Sequence, residues 1–154
     1  NTTGDLMAAC TELLDHGVRV DQVHQRLYQS EPARRIKLLG AMLGTLELFD
    51  DDRLAVLHIT QAMFRQCGAT PHDTEDLINE PQLIGSVNVT ALLVEEDDGR
   101  IRLSVRSKHD VDVAAVARSF GGGGHAKAAG ARSVRPLAET RQEVITAMRK
   151  VMAG

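Results

Sequence analysis

The stretch VNVTALLVEEDDGRIRLSVRS, residues 87–107, decides how this chain is read. Two runs rich in β-branched and large apolar residues flank an Asp-Asp-Gly turn, a strong short-range signal for a β-hairpin. In the second run Ile101, Leu103 and Val105 alternate with Arg100, Arg102, Ser104 and Arg106. Successive strand side chains point to opposite faces, so one face belongs to a core and the other is basic and polar.

Downstream, Asp110 is expected to cap a helix over DVAAVARSF, with Val113, Val116 and Ala117 facing inward. That helix delivers the chain straight into GGGGHAKAAG, residues 121–130, and a short strand is expected near Ala131 to Val134. A terminal helix over LAETRQEVITAMRKVM buries Leu137, Val144, Met148 and Val151. Upstream, LELFDDDRLAVLHIT reads as a hairpin from about Leu46 to Ile59 around the acidic triplet. Residues 60–68 read as a helix stopped by Gly68, and DTEDLINE as a short helix capped by Asp73, with Asp76 three residues later.

The first third is helical in pattern. Thr2 and Asp5 form a candidate capping box and Gly17 a stop, so that Leu6, Cys10, Leu13 and Leu14 are expected to be buried. Val20, Val23 and Leu27 keep helical spacing. Ser30 then caps a third segment, with Pro32 in its first turn and Ile36, Leu39, Leu43 and Leu46 as its apolar stripe. The expected architecture is mixed α/β: a helical block over 1–42, then a small module over 43–154 whose mixed sheet is flanked by helices. No internal repeat is present.

Composition narrows the function. The 154 residues are 43% hydrophobic but 3% aromatic, with no Trp and a single Tyr, so no row of stacking platforms serves single-stranded nucleic acid. A formal charge of -3 supplies no global basic field for a long duplex, which leaves a small anion at a local site. Cys10 and Cys67 match no CxxC or zinc spacing and read as reduced, packed thiols of a cytoplasmic protein. No stretch approaches the roughly 18 apolar residues of a membrane span. The opening NTTGDL suggests that Asn1 is not the natural start.

The four glycines before His125 leave amides with no β-carbon in the way. Flanks of SF and HAKAAG look structured, unlike a flexible linker. Two readings stay open: an ordered loop whose N–H groups form an anion-binding concavity, with HAKAAG continuing it or opening a helix, and a merely structural turn. The stretch is not a P-loop, because the GxxxxGK[ST] spacing is missing. His125 can donate to a phosphate or meet a base or ribose, and is equally able to be an ordinary surface group. Arg106 can grip a phosphate bidentately or pair with Glu95 or Glu96; Ser104, Ser107 and Lys108 could line the same pocket, while Lys127 reads as a solvent-facing lysine.

The segments GSVNVTALLVEEDDG and LSVRSKHDVDVAAVARSFGGGGHAKAAG resemble the C-terminal part of the DHH/DHHA1 phosphoesterases, in the branch of nano-RNases and 3'-phosphoadenosine-5'-phosphate phosphatases. The opening helices resemble those that end the DHH domain and lead into its linker. The resemblance implies a DHHA1 substrate-binding module, with Ser104, Arg106 and Ser107 of SVRS and Gly122, Gly123, Gly124 and His125 of the glycine motif contacting substrate. It implies no catalytic or metal-binding residue within this chain. Two manganese ions would sit in a DHH domain of the same polypeptide, and the DHH triplet is absent from this sequence. Expected ligands are short RNA or small nucleotides, with no membrane partner and homodimerisation left open. Alternatives within the resemblance are a cyclic dinucleotide phosphodiesterase, a RecJ-like single-strand exonuclease and the module of alanyl-tRNA synthetase. Outside enzymology, the alternative is a stand-alone nucleotide-binding or dimerising module.

Overall fold

The computed structural model describes residues 2–153, which form two compact units, Asn1–Pro32 and Ala33–Gly154. The first unit holds α1 (Gly4–Asp15) and α2 (Val20–Tyr28). Thr3, not Thr2, caps α1, its hydroxyl accepting from the Leu6 amide at 3.3 Å. Gly17, with φ +83°, sits in the left-handed turn that follows. Neither helix buries a residue: Leu6, Cys10, Leu13 and Leu14 are exposed, against expectation, and so are Val20, Val23 and Leu27. Two short helices have too little surface to enclose a core between them. Ser30 bonds back to the Arg26 carbonyl and caps nothing.

The second unit is built on a six-stranded sheet of order β1-β2-β3-β4-β6-β5. Its strands are β1 (Glu47–Phe49), β2 (Leu54–Ile59), β3 (Val89–Glu95), β4 (Ile101–Ser107), β5 (Gly123–His125) and β6 (Ala128–Ser133). The expected hairpins β1/β2 and β3/β4 are both present and antiparallel. β2 and β3 run parallel, a pairing that requires a long crossover. Residues 60–88 supply it with α4 (Gln61–Cys67) and 3-10 turns at Pro71–Thr74 and Leu77–Leu83. Gly68 closes α4 in the left-handed conformation, as the sequence suggests.

Alternation along the strands separates two cores. On one face Leu54, Val56, Val89, Ala91, Leu93, Ile101, Leu103 and Val105 pack beneath α5 (Ala114–Ser119) and α6 (Leu137–Met152). On the other, Ala55, Leu57, Ile59, Leu92 and Val94 pack with Leu38 and Met42 of α3 (Ala33–Leu43), Phe64 of α4 and the turn residues Leu77 and Ile78. Because Leu38 and Met42 are fully buried, α3 belongs to the sheet unit, which begins ahead of the boundary expected after residue 42. The buried phase of α3 differs from the expected stripe, leaving Ile36 and Leu43 exposed.

Two expected caps are displaced by neighbouring acids or hydroxyls. Asp112, not Asp110, accepts from the first amide of α5, at 2.9 Å. Asp73 is not a helix cap. Thr70 begins that turn, and Asp73 is buried, accepting from the Thr70 amide at 2.8 Å, the Thr70 hydroxyl at 2.9 Å and Arg34 Nε at 2.9 Å. None of the described helices is long and apolar enough to cross a membrane.

Candidate functional site

The second face of the sheet is covered by helices over β2 and β3, and β4 presents Arg102, Ser104 and Arg106 there, all half-buried. The stretch GGGGHAKAAG continues this face as an edge hairpin of β5 and β6. It is therefore neither a slack linker, a helix start nor a nest of converging amides. In extended strands successive N–H groups point in alternate directions and cannot converge on one anion.

Three of the four glycines are required by the fold. Gly121 leaves α5 at φ +73°. A β-carbon on Gly122 would lie 2.1 Å from the Gly130 carbonyl oxygen, and one on Gly124, at φ +142°, 2.6 Å from that of Ala128. Gly123 differs, because a β-carbon there would meet nothing within 4 Å. Its bare backbone keeps the surface next to Gly130 and Ser104 clear.

Register brings the candidates together. Arg106 pairs with Ala128, and Ala128 pairs with His125, so Arg106 and His125 stand on one face in one row across β4, β6 and β5. The adjacent row on that face holds Ser104, Gly130 and Gly123. Ser107 is not part of this surface. It is buried on the opposite face, where its hydroxyl donates to the Val111 carbonyl at 2.7 Å and lies 3.3 Å from that of Ala126. The Ser107 and Val113 amides donate to the Lys127 and Ala126 carbonyls, at 3.1 and 2.9 Å, fixing the hairpin tip that carries His125.

Of the described strand arginines on this face, Arg106 alone bonds no other side chain. Arg132 pairs with Glu96 at 2.8 Å, and Arg102 donates to the Thr74 hydroxyl at 2.7 Å. Glu95 is occupied by the Gln61 amide at 2.9 Å. Arg106 has no carboxylate partner among the described residues; its guanidinium donates to the carbonyl of its neighbour Val105, at 3.1 Å. The surface ion pair with Glu95 or Glu96 is thus not formed. Lys108 is tied by its Nζ to the Ile84 carbonyl at 2.9 Å, whereas the ring of His125 is exposed. Lys127 stands 3.9 Å from Asp110. Thr90, which the sequence does not single out, pairs directly with Arg106 and is fully buried. A threonine suits a β-rich run, so the sequence does not mark it, and only the register reveals its neighbour.

The model of the DHHA1 domain family matches residues 53–154. This chain belongs to the DHHA1 domain family. The chain is 30% identical, over 131 residues, to the bifunctional oligoribonuclease and PAP phosphatase NrnA of Thermus thermophilus, covering 85% of this chain and 38% of that protein. The NrnA of Bacillus subtilis is 28% identical over 131 residues, 85% of this chain and 41% of that protein. The chain thus spans about two fifths of the length of these relatives. Among solved structures, an exopolyphosphatase-related protein from Bacteroides fragilis superposes with a TM-score of 0.86 at 24% identity, over 97% of this chain and 44% of that one. The likeness shows the mixed α/β fold of the DHHA1 domain, sheet and flanking helices included.

Proposed function

We propose that this DHHA1 domain is the substrate-holding part of a phosphoesterase that hydrolyses short oligoribonucleotides and 3'-phosphoadenosine 5'-phosphate. The observation that carries the reading is Arg106, an arginine without a carboxylate partner, in one row with exposed His125 beside the bare Gly123 backbone. The names of the relatives from Thermus and Bacillus supply the substrate class.

Two strand spacings separate Arg106 from His125, about 10 Å at the backbone. That span suits a nucleotide, with the guanidinium fork on a phosphate and the imidazole against a base, a ribose or a second phosphate. Ser104, two residues from Arg106 on β4, adds a hydroxyl in the adjacent row, and the clear surface over Gly123 admits the ligand close to the backbone. These groups bind and orient. Among the described residues no cluster of three or more His, Cys, Asp or Glu side chains could hold a metal ion. In this reading the manganese pair implied by the family resemblance, and water activation with it, belongs to a DHH domain outside these residues.

Calorimetric titration of the full chain with adenosine 5'-monophosphate tests the reading. Wild type is expected to bind, and Arg106→Gln to bind at least about tenfold more weakly, the scale of a lost charge-assisted hydrogen bond. Equal affinity of the two proteins would remove Arg106 from the site. Release of product from 3'-phosphoadenosine 5'-phosphate by residues 1–154 with manganese would overturn the assignment of the hydrolytic centre to another domain.

A further inference from the structure

Thr90 Oγ1 is the one buried side-chain oxygen or nitrogen without a hydrogen-bond partner among the described residues. Native proteins leave few such atoms, so each one asks for a reason. Packing does not supply it. The other β3 residues on this face are Leu92 and Val94, and Ala55 stands opposite on β2, so a valine of the same shape would serve. The neighbour across β4 is Arg106. Directly opposed side chains have β-carbons about 4.5–5.5 Å apart, which puts the hydroxyl within reach of the guanidinium. At present Arg106 spends an N–H on the adjacent Val105 carbonyl, a contact that joins no two elements.

We infer that Thr90 is a positioning residue for Arg106. When phosphate binds, the guanidinium leaves the Val105 carbonyl and donates one N–H to Thr90 Oγ1, which holds the fork with its remaining N–H groups turned to the anion. Thr90 itself does not touch the ligand. The inference rests on the reading of Arg106 as the phosphate-holding group, and the test separates the two.

Adenosine 5'-monophosphate is titrated calorimetrically into the full chain as wild type, Thr90→Val, Thr90→Ser, Arg106→Gln, Arg106→Lys and Thr90→Val with Arg106→Lys, with Tm recorded for each. Thr90→Val is expected to weaken binding about threefold to tenfold, the size of a modest coupling, without lowering Tm. Thr90→Ser should restore affinity, and Thr90→Val should change nothing further once Arg106→Lys has removed the fork. If Arg106→Gln loses affinity while Thr90→Val binds as wild type, the positioning role fails and the phosphate site stands. A loss from Thr90→Val that persists in the Arg106→Lys background overturns the role as well, since it marks a structural effect. If Arg106→Gln binds as wild type, the site and the inference fall together.

Discussion

Gly123 and Gly124 are neighbours in one glycine run yet make opposite predictions. Gly124 combines φ +142° with a close approach to the Ala128 carbonyl, so Gly124→Ala must strain or part the edge hairpin. A loss of about 2 kcal/mol in denaturant unfolding is expected, in the range for a forced backbone conformation. Gly123 has ordinary φ and open space, so Gly123→Ala should leave stability within about 0.5 kcal/mol, as for other surface changes. If the surface over Gly123 receives the nucleotide, the same substitution should weaken adenosine 5'-monophosphate binding severalfold. A Gly123→Ala protein with wild-type affinity would move the ligand off that backbone.

Among the elements, the turn at Pro71–Thr74 is held to α3 and β4 by polar groups instead of apolar area. Asp73 receives Arg34 from α3, Thr74 receives Arg102 from β4, and Arg35 donates to the Asp73 and Glu75 carbonyls at 2.9 and 2.8 Å. Burial pushes the Asp73 carboxyl up, but the Thr70 amide, Arg34 and the Thr70 hydroxyl together hold it down at about 2, from an ordinary 3.8. The unfolded chain therefore takes up this proton first on acidification. The stabilisation is complete above pH 4 or so and is lost as pH falls from about 4 towards about 2. Asp73→Ala should cost about 2 kcal/mol at neutral pH, the scale of losing charged hydrogen bonds at a buried site, and should flatten that acid limb in unfolding curves. An unchanged acid limb would show that other carboxylates govern it. Asp73 also shows where the sequence misleads: an acid near a helix start reads as a cap, and only the tertiary arginine turns it into a hub. The alternation of Ile101, Leu103 and Val105 made β4 legible because period two is unambiguous, and Arg106 came with it. GGGGHAKAAG carries no periodicity, since glycine and alanine distinguish neither face nor element, so the β5/β6 hairpin and the outward place of Gly123 had to come from the structure. Ser107 ends β4 on the core face, where its hydroxyl closes a loop, and the SVRS motif alone does not separate that face from the one that carries Arg106.

At the scale of the whole molecule, every buried hydrophobic residue among those described lies between Leu38 and Met148. The residues that place Arg106 and His125, from β3 to the Ala126–Lys127 tip, belong to that same unit. The two helices of the Asn1–Pro32 unit carry Leu6, Met7, Leu13, Leu14, Val20, Val23, Leu27 and Tyr28 exposed, so within this chain they add apolar surface to water without adding core. Stability of the sheet unit should then be independent of them. A protein of residues 33–154 is expected to unfold in one cooperative transition, with Tm within about 3 °C of the full chain, a margin worth less than 1 kcal/mol for a domain of this size. It should also bind adenosine 5'-monophosphate with the same affinity and self-associate less in sedimentation. The comparison discriminates because α3 is retained: removing residues 1–43 instead would delete Leu38 and Met42 from beneath the sheet, and that protein should lose several kcal/mol or fail to fold. A large fall in Tm on removing residues 1–32 alone would show that the two cores do not by themselves account for the stability of the sheet unit.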